Sequence, residues 1–425
     1  MLALSTLVAL ASACGGEPSP RAQGTAGAGQ SSMPGVSGAS TAAGTTSAGS
    51  NSASGGGVAS NAAGTGGNSG GSGGTQPVGT AGSGVAQAGS SAQGGAASTG
   101  SGTFKCPAGP YAATPVPSGA TATRVAGVPP QDDFIQASGD LIIIEGPVWL
   151  DGNIYVSEIE NGPNLGFGGP GGGGTPKDAP PGRILKVTEA GAVSVAFADT
   201  GSNGLALDPS GALVACSHKT GSVARISLSG GAGTDLVSSF MGARFNSPND
   251  LAFGADGSLY FSDPDYQAPS PLPQTATRFY RVAPGNTTAT AVIEGRREPN
   301  GVTFSNDHKL LYVSSSEGVF AYPVQADGSL GTGATFAANV ARGSDGMGMD
   351  CAGNLYTTAN QTVTIVSPAG AEVGRISVPG VSSVSNIAFG GADHKTIYIT
   401  GNGSAGQTAS AGLFKIAGSI PGMPY

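Results

Sequence analysis

An all-β chain built as a six-bladed β-propeller is what this sequence predicts, and three observations carry it. Six segments resemble one another: EGPVWLDGNIYVSE (Glu145–Glu158), SNGLALDPSGALVACSH (Ser202–His218), PNDLAFGADGSLYFSDP (Pro248–Pro264), PNGVTFSNDHKLLYVSSS (Pro299–Ser316), SDGMGMDCAGNLYTTA (Ser344–Ala359) and SNIAFGGADHKTIYITG (Ser385–Gly401). In each, apolar residues alternate on both sides of a turn rich in Asp, Gly and Asn, which is the pattern of a β-hairpin. The polar residues that open the units, Glu145, Asn203, Asn249, Asn300, Asp345 and Asn386, stand 58, 46, 51, 45 and 41 residues apart. That is the period of a four-stranded propeller blade.

One hairpin and two weaker outer strands per unit account for residues 105–425 as six blades. The Pro-rich stretch Pro107–Pro130 reads as an extended lead-in. The insertion Asn161–Gly182 follows the first hairpin and is rich in Gly. Neither a Lys-Ser/Thr pair nor a helix follows it, so it reads as a loop near one mouth rather than a phosphate cradle.

Residues 1–14, MLALSTLVALASAC, form an apolar run too short to span a bilayer and read as a signal peptide. Ala11-Ser12-Ala13-Cys14 has the form of a lipobox in which Cys14 would be acylated. Ala11 stands where Leu is usual and a positive start is absent, so an ordinary cleaved signal is the alternative. Residues 15–104 are mostly Gly, Ser, Ala and Thr, with only Glu17 and Arg21 charged and no aromatic before Phe104. Such a stretch cannot bury enough apolar surface to order itself and reads as a disordered tether, with a root-mean-square reach of roughly 50 Å. The chain is therefore expected to be exported, held at a bacterial cell envelope or secreted.

The net charge of −8 lies in the C-terminal part, because Glu17 and Arg21 cancel. Scattered basic residues on an acidic domain exclude a nucleic-acid partner. Membrane contact is expected only through an N-terminal lipid, and the domain is expected to be a monomer. With Cys14 set aside, Cys106, Cys216 and Cys351 allow at most one disulfide. Cys106, where order is expected to begin, could staple that segment to Cys351 in a hairpin turn. Cys216 lies in an apolar strand and reads as a small buried hydrophobe. No cysteine spacing suits a zinc knuckle.

Equivalent positions in successive blades lie at the same radius and height. Glu145, Asn203, Asn249, Asn300, Asp345 and Asn386 therefore converge if the units begin at the central channel. Two carboxylates and several amide oxygens suit a hard divalent cation, Ca²⁺ first, with Mg²⁺, Mn²⁺ or Zn²⁺ as competitors. The second strand of each hairpin returns to the same end, which brings Glu158, His218, Asp263, Ser316, Asn360 and Asn402 there. Asp263 then either orients water or substrate or caps a loop, and His218 joins the mouth. His308 and His394 fall in hairpin turns and read as solvated.

On these motifs the chain resembles the senescence-marker-protein/gluconolactonase/luciferin-regenerating-enzyme family, and its bacterial gluconolactonase branch most. EGPVW, NGLALD, RFNSPNDLAFGADGSLYFSDP, PNGVTFS, SDGMGMD and NIAFGG…TIYITG carry the resemblance, over roughly Asp133–Tyr425. It implies metal ligation by Glu145, Asn300 and Asp345, with Asn249 as a further ligand or substrate contact. It implies Asp345 as general base, with Asp250, Arg244 and Asn203 lining the substrate pocket. Ser157-Glu158 replaces the usual Ser-Asp, Ser217 replaces a Glu, and the Gly-rich insertion is extra. All three departures bear on substrate identity.

The implied activity is metal-dependent hydrolysis of a gluconolactone-type sugar lactone, with water activated by Asp345 and the carbonyl polarised by the cation. No Gly-x-Ser-x-Gly elbow is present, and no cysteine has a histidine partner in the sequence pattern. A non-catalytic binding platform and a paraoxonase-like arylesterase are the alternatives, since fold alone does not fix chemistry.

Overall fold

The computed structural model describes residues 104–132, 142–160, 181–229, 233–339, 345–403 and 410–423. The signal, the lipobox Cys14 and almost all of the tether fall outside these residues, as does most of the Gly-rich insertion. The described residues form six four-stranded antiparallel sheets. Blade one is Ile142–Leu150, Asn153–Glu160, Gly182–Thr188 and Val193–Phe197, running from the axis outward. The innermost strands of the next five blades are Ser202–Leu207, Leu251–Phe253, Val302–Phe304, Met347–Met349 and Ser383–Gly390. Each touches the next in ring order, and the last returns to the first. This is a six-bladed β-propeller.

Blade six is not made from one stretch of chain. Its outermost strand is Thr123–Arg124, which pairs antiparallel with Gly412–Ala417 through Thr123↔Lys415 and Arg124↔Phe414. The Pro-rich lead-in thus contributes a strand, two residues long and with no alternating pattern to announce it. The Arg124 guanidinium fixes it by donating to the carbonyls of Ala411 at 2.6 Å and Ser410 at 2.8 Å.

The core lies between neighbouring blades, where the alternating apolar residues of the hairpins meet. Trp149 of blade one stacks on Tyr398 of blade six at 5.7 Å, and Tyr356 of blade five meets Phe389 of blade six edge-on at 5.0 Å. Tyr260 of blade three packs edge-on against Phe304 of blade four at 5.3 Å. Such pairs add about 0.5–1.5 kcal/mol each beyond area burial.

The repeated Asp of the inner hairpins has a local cause. Asp208, Asp256, Asp307, Asp350 and Asp393 each accept, through Oδ1, the backbone N–H two residues on, at 2.8 to 3.1 Å. This is the Asx turn that lets the strand reverse. His308 and His394 in these turns are half-buried, not solvated. Their rings lie against Phe304 and Phe104, with centroids at 5.2 and 3.9 Å.

Cys106 and Cys351 form a disulfide across a sequence separation of 245 residues. At the same turn Cys351 N–H donates to Pro421 O at 2.7 Å, and Met423 N–H donates to Met349 O at 2.8 Å. The C-terminal segment and the first of the described residues are thereby fastened at blade five, at the end of the ring opposite to where the units begin. Cys216 is free and fully buried.

Candidate active site

Four of the six units open with a polar residue followed by Gly, and close packing around the axis explains the Gly. Gly146 has φ +52°, and a Cβ there would lie 2.3 Å from Asn203 O in the next blade. A Cβ on Gly346 would lie 2.0 Å from the Asn386 side-chain amide carbon. Side chains at these positions would push the blades apart. Inter-blade hydrogen bonds follow the same ring: Gly204 N–H to Asn249 O at 2.6 Å, Gly346 N–H to Ser385 O at 2.7 Å, and Ser385 Oγ to Ile144 O at 2.6 Å. Ser314 Oγ likewise donates to Asp345 O at 2.7 Å.

This ring gathers the opening residues at one end of the channel. Glu145, Asn203, Asn249, Asp250 and Asn386 are buried there, while Asn300 and Asp345 keep part of their surface open. Glu145, Asp250 and Asp345 act on one another electrostatically. Burial pushes the Glu145 carboxyl well up, and the charges of Asp345 and Asp250 push it further. Burial likewise lifts Asp345 to about 7, with Asp250 adding repulsion. Asp250 is raised to about 7 by burial, against hydrogen bonds from Val302, Leu251 and Asn386. None of the ion pairs among the described residues includes any of these three carboxyls.

The amides around them divide into two roles. Asn386 Oδ1 accepts its neighbour's N–H from Ile387 at 2.8 Å, and its NH₂ serves Glu145 and Asp250. Asn386 therefore stands between two carboxylates, with one acceptance of its oxygen taken up by its own strand. Asn300 favours the ionised forms of Asp345 and of the Tyr266 phenol, against the burial that lifts both.

Among the described residues no trio of His, Cys, Asp and Glu is placed to hold a metal ion. A cation here would need amide oxygens beside the carboxylates. The donor set of Glu145, Asp345, Asn300 and Asn249 is all oxygen, so it fits a hard divalent ion. Glu145, Asp250 and Asp345 stand outside any ion pair among the described residues, and a bound ion would balance the charge they carry once deprotonated.

The other candidates lie elsewhere in the mouth. Asp263 accepts Asn246 N–H at 3.0 Å and Ser247 N–H at 2.7 Å, so both its oxygens cap the loop that enters blade three. Arg244 donates to the carbonyls of Phe245, Lys219 and His218 at 3.1, 3.0 and 2.7 Å. His218 is fully buried at that junction. These three residues build the wall of blades two and three and do not join the carboxyl cluster.

Glu158, which replaces the usual Asp, is fully buried and accepts from Arg183 Nε at 2.5 Å. The same guanidinium grips Asp132 with both terminal nitrogens, at 2.8 and 3.0 Å. Tyr266 is a residue that the repeat pattern does not single out. It follows the second strand of blade three, and no other unit has a Tyr there.

A profile of the SMP-30/Gluconolactonase/LRE-like region matches residues 145–403. The chain is 28% identical over 286 residues to a gluconolactonase of Zymomonas mobilis subsp. mobilis, spanning 60% of this chain and 74% of that protein. It is 31% identical over 157 residues to a pentonolactonase of Haloferax volcanii, spanning 32% of this chain and 53% of that protein. A solved gluconolactonase from Xanthomonas campestris superposes with a TM-score of 0.53 at 25% identity, over 74% of this chain and 98% of that one. The matched span begins at Glu145 within the first inner strand, holds the other five whole and encloses the carboxyl cluster, so the chain belongs to the SMP-30/gluconolactonase/LRE-like family.

Proposed function

We propose that this protein is a metal-dependent lactonase that opens a gluconolactone-type sugar lactone to its hydroxy acid. The coarser statement, a lactone-hydrolysing enzyme of this family, stands on the similarity to gluconolactonases. The observation that carries the finer reading is the meeting of Glu145, Asp250 and Asp345 at one end of the channel, outside any ion pair.

Glu145, Asn300 and Asp345, with Asn249 beside them, would hold a divalent cation, Ca²⁺ first in rank. The cation, when bound, supplies polarisation of the lactone carbonyl. Asp345 is the part-open carboxylate of the cluster and serves as general base. Its Oδ takes the proton of a water as that water adds to the carbonyl, and returns it to the ring oxygen as the ester C–O bond breaks. Asn386 holds Glu145 and Asp250 apart from this transfer by donating an N–H to each. Asn203 and Asn249 line the buried floor against which the lactone hydroxyls would lie.

The N-terminal residues support an exported protein, anchored at the cell envelope through Cys14 or released. A monomer with a small-molecule substrate and no nucleic-acid partner completes the reading.

The test is proton release from gluconolactone and a panel of small lactones by the full chain. It is run in EDTA and after adding Ca²⁺, Mg²⁺, Mn²⁺ or Zn²⁺. Turnover restored by one of these ions is the expected result. A folded protein that turns over none of the panel with any ion would redirect the reading to a binding platform or a non-lactone esterase.

A further inference from the structure

Ladder hydrogen bonds run within each blade, so the bonds that cross between blades set how neighbouring inner strands stand to one another. Two crossings are direct. Gly204 N–H of blade two donates to Asn249 O of blade three at 2.6 Å, and Gly346 N–H of blade five donates to Ser385 O of blade six at 2.7 Å. Between blades four and five the crossing is different. Gly301 N–H donates to Ser314 Oγ at 2.7 Å, and that hydroxyl donates in turn to Asp345 O, also at 2.7 Å. One side-chain oxygen is interposed where those two crossings join backbone to backbone.

Ser314 lies in the second strand of blade four, Leu310–Ser315, and is fully buried. Its own backbone is laced to the residues that open the unit. Asn300 N–H donates to Ser314 O at 3.0 Å, and Ser314 N–H donates to Gly301 O at 2.9 Å. The hydroxyl is therefore fixed relative to Asn300 before it reaches Asp345. On the far side, Thr358 Oγ1 accepts Asp345 N–H at 2.9 Å and donates to Gly346 O at 3.0 Å. Both backbone polar groups of Asp345 thus meet hydroxyls, one from blade four and one from its own blade. The packing is tight, since a Cβ on Gly301 would run into Asp345 O and lie 3.0 Å from Ser314 Oγ.

We infer that Ser314 is a positioning residue for the active site, its hydroxyl holding Asp345 at a set distance from Asn300 across the junction of blades four and five. This rests on the reading given above, in which those two residues act side by side on one cation. Ser314 acts through the backbone of both. Without its hydroxyl, Gly301 N–H and Asp345 O face each other with nothing between them. Buried backbone groups are costly to leave unpaired. The nearest partner of each is then the other, in the direct bond already made at Gly204 and Gly346. Closing to that bond draws Asp345 toward blade four, and a displacement of about 1 Å can cost about 10²-fold in rate. Partners just outside a metal's ligands typically contribute about 10–100-fold in ion affinity.

The experiment compares the full-length chain with Ser314→Ala and Ser314→Thr. Thr358 holds the equivalent place in blade five, so Ser314→Thr is the variant that keeps the hydroxyl. Calcium, magnesium, manganese and zinc chlorides are titrated separately into each protein by calorimetry. Turnover is measured with the lactone that the wild type opens fastest, and circular dichroism and Tm in EDTA report the fold. Ser314→Ala is expected to stay folded and to bind the ion about 10–100-fold more weakly, with kcat lowered and KM little changed. Ser314→Thr is expected to restore both affinity and kcat. A folded Ala variant that keeps wild-type affinity overturns the inference and leaves the proposed function standing. A Thr variant as impaired as the Ala variant also overturns it, since the hydroxyl would then not be what places Asp345. A wild type that binds none of the four ions overturns the cation reading and the inference with it. Should Ser314→Ala not fold, Ser314→Cys, whose S–H is a weak donor, takes its place with the same outcomes.

Discussion

The carboxylate of Asp250 receives the backbone N–H of Val302 at 2.9 Å, so blade three is hydrogen-bonded to the inner strand of blade four through a side chain. Units one, two, four and five place Gly146, Gly204, Gly301 and Gly346 at the equivalent position. Asp250→Ala leaves a buried N–H without an acceptor, at a cost of about 1–3 kcal/mol. Urea unfolding should show a lower midpoint at unchanged slope. Asp250→Asn retains an oxygen and should recover much of the loss. An unmoved midpoint in the Ala variant would remove this inter-blade role.

Asp345→Asn keeps the shape of the base and removes its basicity. Lactone hydrolysis should fall by about 10²–10⁴-fold, with the circular dichroism spectrum unchanged. Retained turnover would assign the proton transfer to another group.

Gly346→Ala tests the close packing at the axis. The added carbon would sit 2.0 Å from the Asn386 amide carbon, which must then abandon Glu145 and Asp250. At least tenfold lower hydrolysis is expected from so small a change, since a misplacement of about 1 Å can cost that much or more. A full rate would mean that the Asn386 bridge is dispensable.

Stability should depend on pH in a direction set by buried carboxyls away from the cluster. Burial holds Glu158 and Asp263 at about 7, whereas their unfolded values lie near 4. Between those limits the folded chain keeps protons that the unfolded chain has released. Their contribution is complete below about pH 4 and is lost as pH rises through about 7. Tm in EDTA should therefore be lower at pH 8.5 than at pH 5.5, by a few degrees. Glu158→Gln cannot release a proton and should flatten part of that decline. An equal slope in the variant would exclude Glu158 as a contributor.

Reduction tests the staple at blade five. Opening Cys106–Cys351 should lower stability by about 2–4 kcal/mol, read as a lower Tm in dithiothreitol. Cys216 is buried and its thiol is pushed well up by that burial. It should resist Ellman's reagent until denaturant is added. Reaction in the native state would show that its strand opens.

The blades were legible in the sequence because a hairpin writes its burial into a period of two, and six copies of that period are hard to mistake. The ring of Glu145, Asn203, Asn249, Asn300, Asp345 and Asn386 was legible for the same reason. Symmetry says which positions meet, though not which way an amide turns, so it could not separate the bridging Asn386 from the others. Tyr266 has no counterpart in other units, and its partner Glu298 leads into another blade, so no repeat could reveal it. Thr123–Arg124 is too short to carry a period at all. His308 and His394 read as solvated because turns usually are, yet Phe304 and Phe104 shelter them. Asp263 had two readings open, and the N–H groups of Asn246 and Ser247 now occupy both its oxygens.

The borrowed strand of blade six has a consequence for how the molecule comes into being. Thr123 lies beside Lys415, 292 residues later in the chain. Synthesis therefore delivers the closing strand first and the strand that receives it last. Five blades can pair locally as they emerge, but the ring stays open until Gly412–Ala417, the last of the described strands, has been made. A protein exported as an extended thread would circularise only on the far side of its membrane. On the proposed export, the oxidising surroundings that would join Cys106 to Cys351 are met there too.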